Sequence, residues 1–319
     1  MNDLVRRLLD GDVRAAARII RAIDDRQPEA RDLLKALYPS TGRAYVIGVT
    51  GAPGVGKSTL VDRMVDQLRK LGKTVGVLAV DPTSPFTGGA ILGDRIRMQR
   101  HCTDEGVFIR SMATRGHFGG LSQSTRSAID VLDAMGKDVV LVETVGVGQD
   151  EIEVVATAHT TIITVVPGMG DDIQAIKAGI LEVGDLFVIN KCERQGADRT
   201  LQELNMMLEM EGRHLRDEGW RPPVIKTEAV TNTGIDRLMT EIENHRRYLY
   251  DNDRKKLNRR LRSKFRTELL DQVKLAILER LLGDIEKSGE LDRMVDELVA
   301  RTSDPYTVCD RLVQQLMDR

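Results

Sequence analysis

The chain has 319 residues, 41% of them hydrophobic but only 3% aromatic, and its formal net charge is −2. That length suits one large domain or two with an aliphatic core, and the near-neutral charge excludes a global pull toward nucleic acid or an anionic membrane. No run approaches the ~20 apolar residues that would span a bilayer, and Met1 to Asp12 mixes acids and bases with neither a signal-peptide core nor an Arg-rich leader, so a bacterial-type cytoplasmic enzyme is expected.

Residues 1–38 read as helical, with apolar stripes at Leu4, Leu8 and Leu9, from Ala15 to Ile20, and at Leu33, Leu34 and Leu37. Pro39-Ser40-Thr41-Gly42 is a breaker, which makes 1–42 an N-terminal helical extension. From 43 to 248, strand-like runs (45–50, 75–80, 107–112, 139–143, 161–166, 186–190 and 224–227) alternate with helical patterns. This alternation predicts an α/β domain with a mostly parallel sheet, helices on both faces, and ligands at the carboxyl ends of the strands.

From 249 to 319 the character changes. Leu257, Leu261, Phe265, Leu269, Val273, Ile277 and Leu281 recur every four residues along a long helix that starts very basic and ends near Gly283. A second helix is expected near 291–301. Asp304-Pro305 then reads as the cap and first turn of a last one. The basic start is a solvated helix face rather than a nucleic-acid site. The apolar stripe exceeds what packing on one sheet requires, so 249–319 is expected to be a helical dimerisation region that makes a homodimer.

Gly51-Ala52-Pro53-Gly54-Val55-Gly56-Lys57-Ser58-Thr59 fits G-x-x-x-x-G-K-[S/T]. It lies between the β-branched run 45–50 and a helical pattern of Leu60, Met64, Val65, Leu68 and Leu71, the strand–loop–helix order of a phosphate-binding loop. The glycines let backbone amides wrap a di- or triphosphate and the helix N-terminus adds its dipole. Lys57 can reach the terminal phosphates, and Ser58 can offer a hydroxyl to Mg²⁺.

Carboxylates follow at other strand ends. Asp81, in Val80-Asp81-Pro82, is placed for a metal or for the attacking water; Asp94 lies in a glycine-rich loop; both also suit plain loop caps. Glu143 ends an apolar strand, where a charge needs a reason, and the amide of Gly146 three residues later is placed to sense a γ-phosphate. Gln149 can orient water, whereas His117 reads better as a surface-loop or partner contact. Cys102, Cys192 and Cys309 are far apart and read as reduced thiols, and neither they nor the five histidines show metal-ligand spacing.

Base recognition is expected from the later strands. Asn190-Lys191-Cys192-Glu193 is close to N-K-x-D, whose carboxylate accepts hydrogen bonds from the guanine edge. Glu193 adds a methylene to that pattern. Glu228-Ala229 is similar to a turn that offers a backbone amide to the guanine oxygen, though it also suits an ordinary surface turn.

Together the stretches 51–59, 79–85, 88–98, 110–121, 142–149 and 166–179 resemble, in order, those of the MeaB/ArgK family of P-loop GTPases, metallochaperones of cobalamin-dependent acyl-CoA mutases. The resemblance implies a P-loop NTPase core that hydrolyses GTP to GDP and phosphate. It implies Mg²⁺ surrounded by Ser58, Asp81, Asp94 and Glu143, phosphates on Lys57, and a switch loop carrying Asp171, Gln174 and Lys177. Without it, 167–172 would read as a strand-to-helix loop capped by Asp171 or Asp172. The implied partner is methylmalonyl-CoA mutase or a related mutase, whose cobalamin loading the GTPase would gate and which it would protect from inactivation. Glu193 and Glu228 depart from the family pattern and bear on base specificity, not on fold. The alternatives are an ATPase or kinase of lysine/arginine/ornithine transport, a nickel-insertion GTPase, which would carry Cys/His ligands or a His-rich tract that this chain lacks, and a passive nucleotide-binding scaffold.

Overall fold

The computed structural model describes residues 2–82, 99–101, 103–114, 120–144, 146, 158–168, 183–210, 219–252, 258, 261–262, 265–278 and 289–317. The chain divides into two compact units, Met1–Asn258 and Arg259–Arg319. Asp81 is described only as part of a strand backbone. Asp94, Cys102, His117, Gln149, Asp171, Gln174 and Lys177 lie outside the described residues.

Three short helices open the first unit: α1 (Asp3–Leu9), α2 (Val13–Asp24) and α3 (Glu29–Leu37). The Asp12 carboxylate caps α2 by accepting from the amides of Arg14 and Ala15. Seven strands follow: β1 (Tyr45–Gly51), β2 (Val75–Pro82), β3 (Val107–Thr114), β4 (Val139–Thr144), β5 (Thr160–Val165), β6 (Leu186–Ile189) and β7 (Val224–Lys226). They form one sheet in the order β3-β2-β4-β1-β5-β6-β7, and every paired neighbour is parallel. The connecting helices are α4 (Lys57–Lys70) after β1, α5 (Gly120–Ala134) after β3, α6 (Ala197–Met210) after β6 and α7 (Ile235–Arg247) after β7.

Strand periodicity sorts the core onto two faces. Val46, Leu78, Val80, Phe108, Val140 and Val142 turn toward α1–α3 and α5. Tyr45, Ile47, Val49, Val77, Leu141, Ile162 and Val188 turn toward α4 and α7. A third cluster seats Leu204 and Leu208 of α6 on Ile163, Val165, Phe187 and Ile189. The N-terminal helices are therefore part of the first unit's core. Their junction with β1 is fixed by Asp133 of α5, whose carboxylate accepts the backbone amides of Gly42 (2.5 Å), Ala44 (2.9 Å) and Arg43 (3.1 Å).

The second unit holds a helical stretch over 265–278 and helices at Glu290–Val299 and Pro305–Met317. Asp304 caps the last, accepting from the amides of Tyr306 and Thr307 at 3.0 Å each, as the Asp-Pro pair predicts. Among the described residues, no helix is long and apolar enough to cross a membrane.

Candidate functional site

β1 lies inside the sheet, between β4 and β5, and its carboxyl end runs directly into the loop 51–56. The chain after β1 crosses to β2 on one side of it, and the chain after β4 crosses to β5 on the other. A crevice for ligands opens at such a switch point. Gly54 and Gly56 take positive φ values of 81° and 95°, which lets the loop turn back over the N-terminus of α4. Gly56 has a second constraint: a Cβ there would run into the side-chain amide of Asn190.

Lys57 and Ser58 open α4 and are almost wholly buried. Lys57 Nζ donates to the carbonyls of Gly51 (2.7 Å) and Ala52 (3.0 Å), so it arches over the loop's own backbone. Val55 closes the loop from below: it is fully buried and its amide meets the Ala52 carbonyl at 3.4 Å. Pro53 is exposed, and Thr59 is half-buried in the first helical turn.

Parallel pairing of β1 with β4 sets Glu143 beside Val49, just before the loop begins. Ser58 Oγ donates to Glu143 Oε1 at 2.6 Å, and Glu143 is only 4% exposed. A hydroxyl and a carboxylate brought together beneath a phosphate loop are hard oxygen donors of the kind Mg²⁺ takes. Asp81 stands at the carboxyl end of β2, which pairs with β4.

Gly146 is held in a way the sequence does not advertise. Its carbonyl accepts from Thr50 Oγ1 (2.8 Å), and the single proton of the Thr144 hydroxyl is shared between the Thr50 hydroxyl at 2.8 Å and that carbonyl at 3.1 Å. The two threonines lie at the carboxyl ends of paired strands, and only the strand register makes them neighbours.

On the other side of the loop, Asn190 is the hub. Its Nδ2 donates to the Val55 carbonyl at 2.8 Å, and its Oδ1 accepts from Thr227 Oγ1 and the Ala229 amide at 3.1 Å each. Lys191, at a positive φ of 55°, donates from Nζ to the Gly54 carbonyl at 2.8 Å. Glu228 closes a small turn by exchanging backbone hydrogen bonds with Thr233. Glu193 is exposed. Burial first, then the charges of Glu193 and Glu228, push the Cys192 thiol up. The structure thus brings 51–59, Glu143, Gly146, 190–193 and 228–229 together at one end of the sheet. Arg63, which binds the 228–230 turn, carries no motif signal in the sequence.

This is the construction of a P-loop nucleotide hydrolase. A solved structure described as a LAO/AO transport system kinase shares the fold with a TM-score of 0.69 at 28% identity, covering 99% of each chain. A Pyrococcus abyssi protein whose name places it among GTPases is 48% identical over 320 residues, 99% of this chain and 97% of its own. The Escherichia coli GTPase ArgK is 39% identical over 241 residues, 73% of this chain and 72% of its own. The profile of the methylmalonyl-CoA mutase-associated GTPase MeaB matches residues 16–285. The chain belongs to the MeaB family and is a GTPase.

Proposed function

We propose that the loop 51–59 cradles the phosphates of GTP and that hydrolysis to GDP and phosphate serves as a switch acting on a cobalamin-dependent acyl-CoA mutase, with methylmalonyl-CoA mutase the first choice. The observation that carries the nucleotide chemistry is the Ser58–Glu143 contact at 2.6 Å, directly under the glycine loop. Loop amides and Lys57 stabilise charge on the β- and γ-phosphates. Mg²⁺ fits the oxygen donors present: Ser58 and Glu143 would hold it, with Asp81 and Asp94 completing the set. When bound, the ion neutralises phosphate charge. Asp81 and Lys177 stand as further catalytic candidates. The Gly146 amide reports the γ-phosphate, and the Thr50–Thr144 pair fixes where that residue sits.

Asn190, Lys191, Glu193, Glu228 and Ala229 form the base site. Guanine is favoured because Asn190 joins the phosphate loop to the 228–229 turn and Glu193 supplies the acceptor that the guanine edge requires. The partner rests on the family's description, which ties it to methylmalonyl-CoA mutase. In that role the GTPase gates cobalamin loading and protects the mutase, while segment 167–177 couples nucleotide state to the partner. A pull-down with purified acyl-CoA mutases tests it, in GDP and in a non-hydrolysable GTP analogue. Nucleotide-dependent capture is expected; absent or state-independent capture removes the chaperone role and leaves the GTPase.

The second unit supports a homodimer. Phe265, Leu269, Val273 and Ile277 recur every four residues on one helix face, and each is at least 44% exposed. A second copy presenting the same stripe is the occupant this pattern suits.

One alternative reading has a specific observation behind it: the 0.69 TM-score structure is described as a transport system kinase. Product analysis separates the two, since a hydrolase releases free phosphate and a kinase labels an acceptor.

A further inference from the structure

Asn190 holds the 228–230 turn from the inside, and Arg63 holds it from the outside. The Arg63 side chain leaves the second turn of α4. Its Nε donates to the Ala229 carbonyl at 2.9 Å and its Nη2 to the Val230 carbonyl at 3.2 Å. On the inner side, the Ala229 amide and the Thr227 hydroxyl donate to Asn190 Oδ1. The remaining arm of the guanidinium, Nη1, lies 3.5 Å from Asp66 Oδ2, three residues along the same helix. Asp66 is in turn paired with Arg100 at 2.6 Å.

A guanidinium is a rigid planar fork, so two donors on consecutive carbonyls fix both the position and the tilt of the turn that bears them. An arginine serving only its own helix needs no more than the carboxylate one turn away. Arg63 instead spends two donors on a turn 166 residues distant in sequence. Ala229 is buried and Val230 is exposed, so the clasp sits at the edge of the base site rather than in the packed core.

We propose that Arg63 is a positioning residue for base selection. It ties the turn facing the purine to the same helix whose first two residues serve the phosphates. The two ends of the nucleotide site then share one rigid element, and α4 sets the distance between them. The inference rests on the guanine-site reading above and deepens it.

The test uses the full-length chain, its Arg63→Gln and Arg63→Lys variants, and displacement of a fluorescent GDP by GDP, ADP and tripolyphosphate in Mg²⁺. Tripolyphosphate reports the phosphate loop alone. Arg63→Gln is expected to lose about tenfold in GDP affinity while ADP and tripolyphosphate stay within about twofold. Arg63→Lys should recover part of the loss, because one ammonium can still meet one of the carbonyls. Equal losses for GDP and tripolyphosphate would mean that Arg63 only supports α4, and the proposal falls. Unchanged GDP affinity in both variants overturns it as well. Should Arg63→Gln not fold, Arg63→Lys carries the test, with a smaller loss confined to GDP as the supporting result. Wild-type protein that binds GDP no better than ADP would instead sink the guanine-site reading on which the proposal rests.

Discussion

Ser58 Oγ and Glu143 Oε1 meet at 2.6 Å although 85 residues separate them in the chain. One lies in the first turn of the helix after the glycine loop and the other is next to last in the strand beside β1, so the contact ties the loop to the sheet. In the proposed function these two oxygens are the metal donors.

Ser58→Ala and Glu143→Gln should therefore each slow GTP hydrolysis by about a hundredfold or more. Binding of GDP without metal should change far less. Phosphate release measured across a Mg²⁺ titration checks this: the variants should require more metal, and an unchanged metal dependence in both would remove this pair from the metal site.

Asn190→Ala removes a side chain that is 2% exposed and joins three backbone or hydroxyl groups. The Val55 carbonyl, the Thr227 hydroxyl and the Ala229 amide would all have to find new partners. Stability should drop by about 2–4 kcal/mol in urea denaturation, and GDP affinity should fall with it.

Cys192 offers a pH-dependent probe of the proposed base site. Burial and the charges of Glu193 and Glu228 raise its pKa, which lowers its thiolate fraction at any given pH. Alkylation by iodoacetamide should be slower than that of an unperturbed cysteine thiol at the same pH. Glu193→Gln removes one of the raising charges, which lowers the thiol pKa and speeds alkylation at a fixed pH. No change in that variant would mean that Glu193 does not face the site.

The exposed stripe on 265–278 makes a prediction about assembly. Replacing Leu269 and Ile277 together with Glu places charges on that face and should shift the protein to monomer in light scattering after gel filtration. An unchanged mass would assign the stripe another role.

Much of this was legible in the chain itself. The seven strand runs, the glycine loop and the Asp304 cap are local signals, carried by periodicity and turn chemistry. Glu143 could be picked out because a charge that closes a buried apolar strand demands a partner. The Thr50–Thr144–Gly146 arrangement could not, since it depends on which strands become neighbours: β4 inserts between β1 and β2 against sequence order. Arg63 was hidden for a different reason. Its spacing from Asp66 reads as an ordinary helix-surface pair, and only the return of the chain after β7 brings the Ala229 and Val230 carbonyls within its reach.

In the proposed function, nucleotide binding depends most on Lys57 and the loop it crosses. Calorimetric titration of the purified protein with a non-hydrolysable GTP analogue in Mg²⁺ tests it directly, alongside the matching ATP analogue and a Lys57→Ala variant. The expected result is saturable binding of the guanine analogue, weaker uptake of the adenine one, and a loss of about tenfold or more in Lys57→Ala. Wild-type protein that takes up neither analogue, or a Lys57→Ala variant that binds and hydrolyses GTP as well as the wild type, would contradict it.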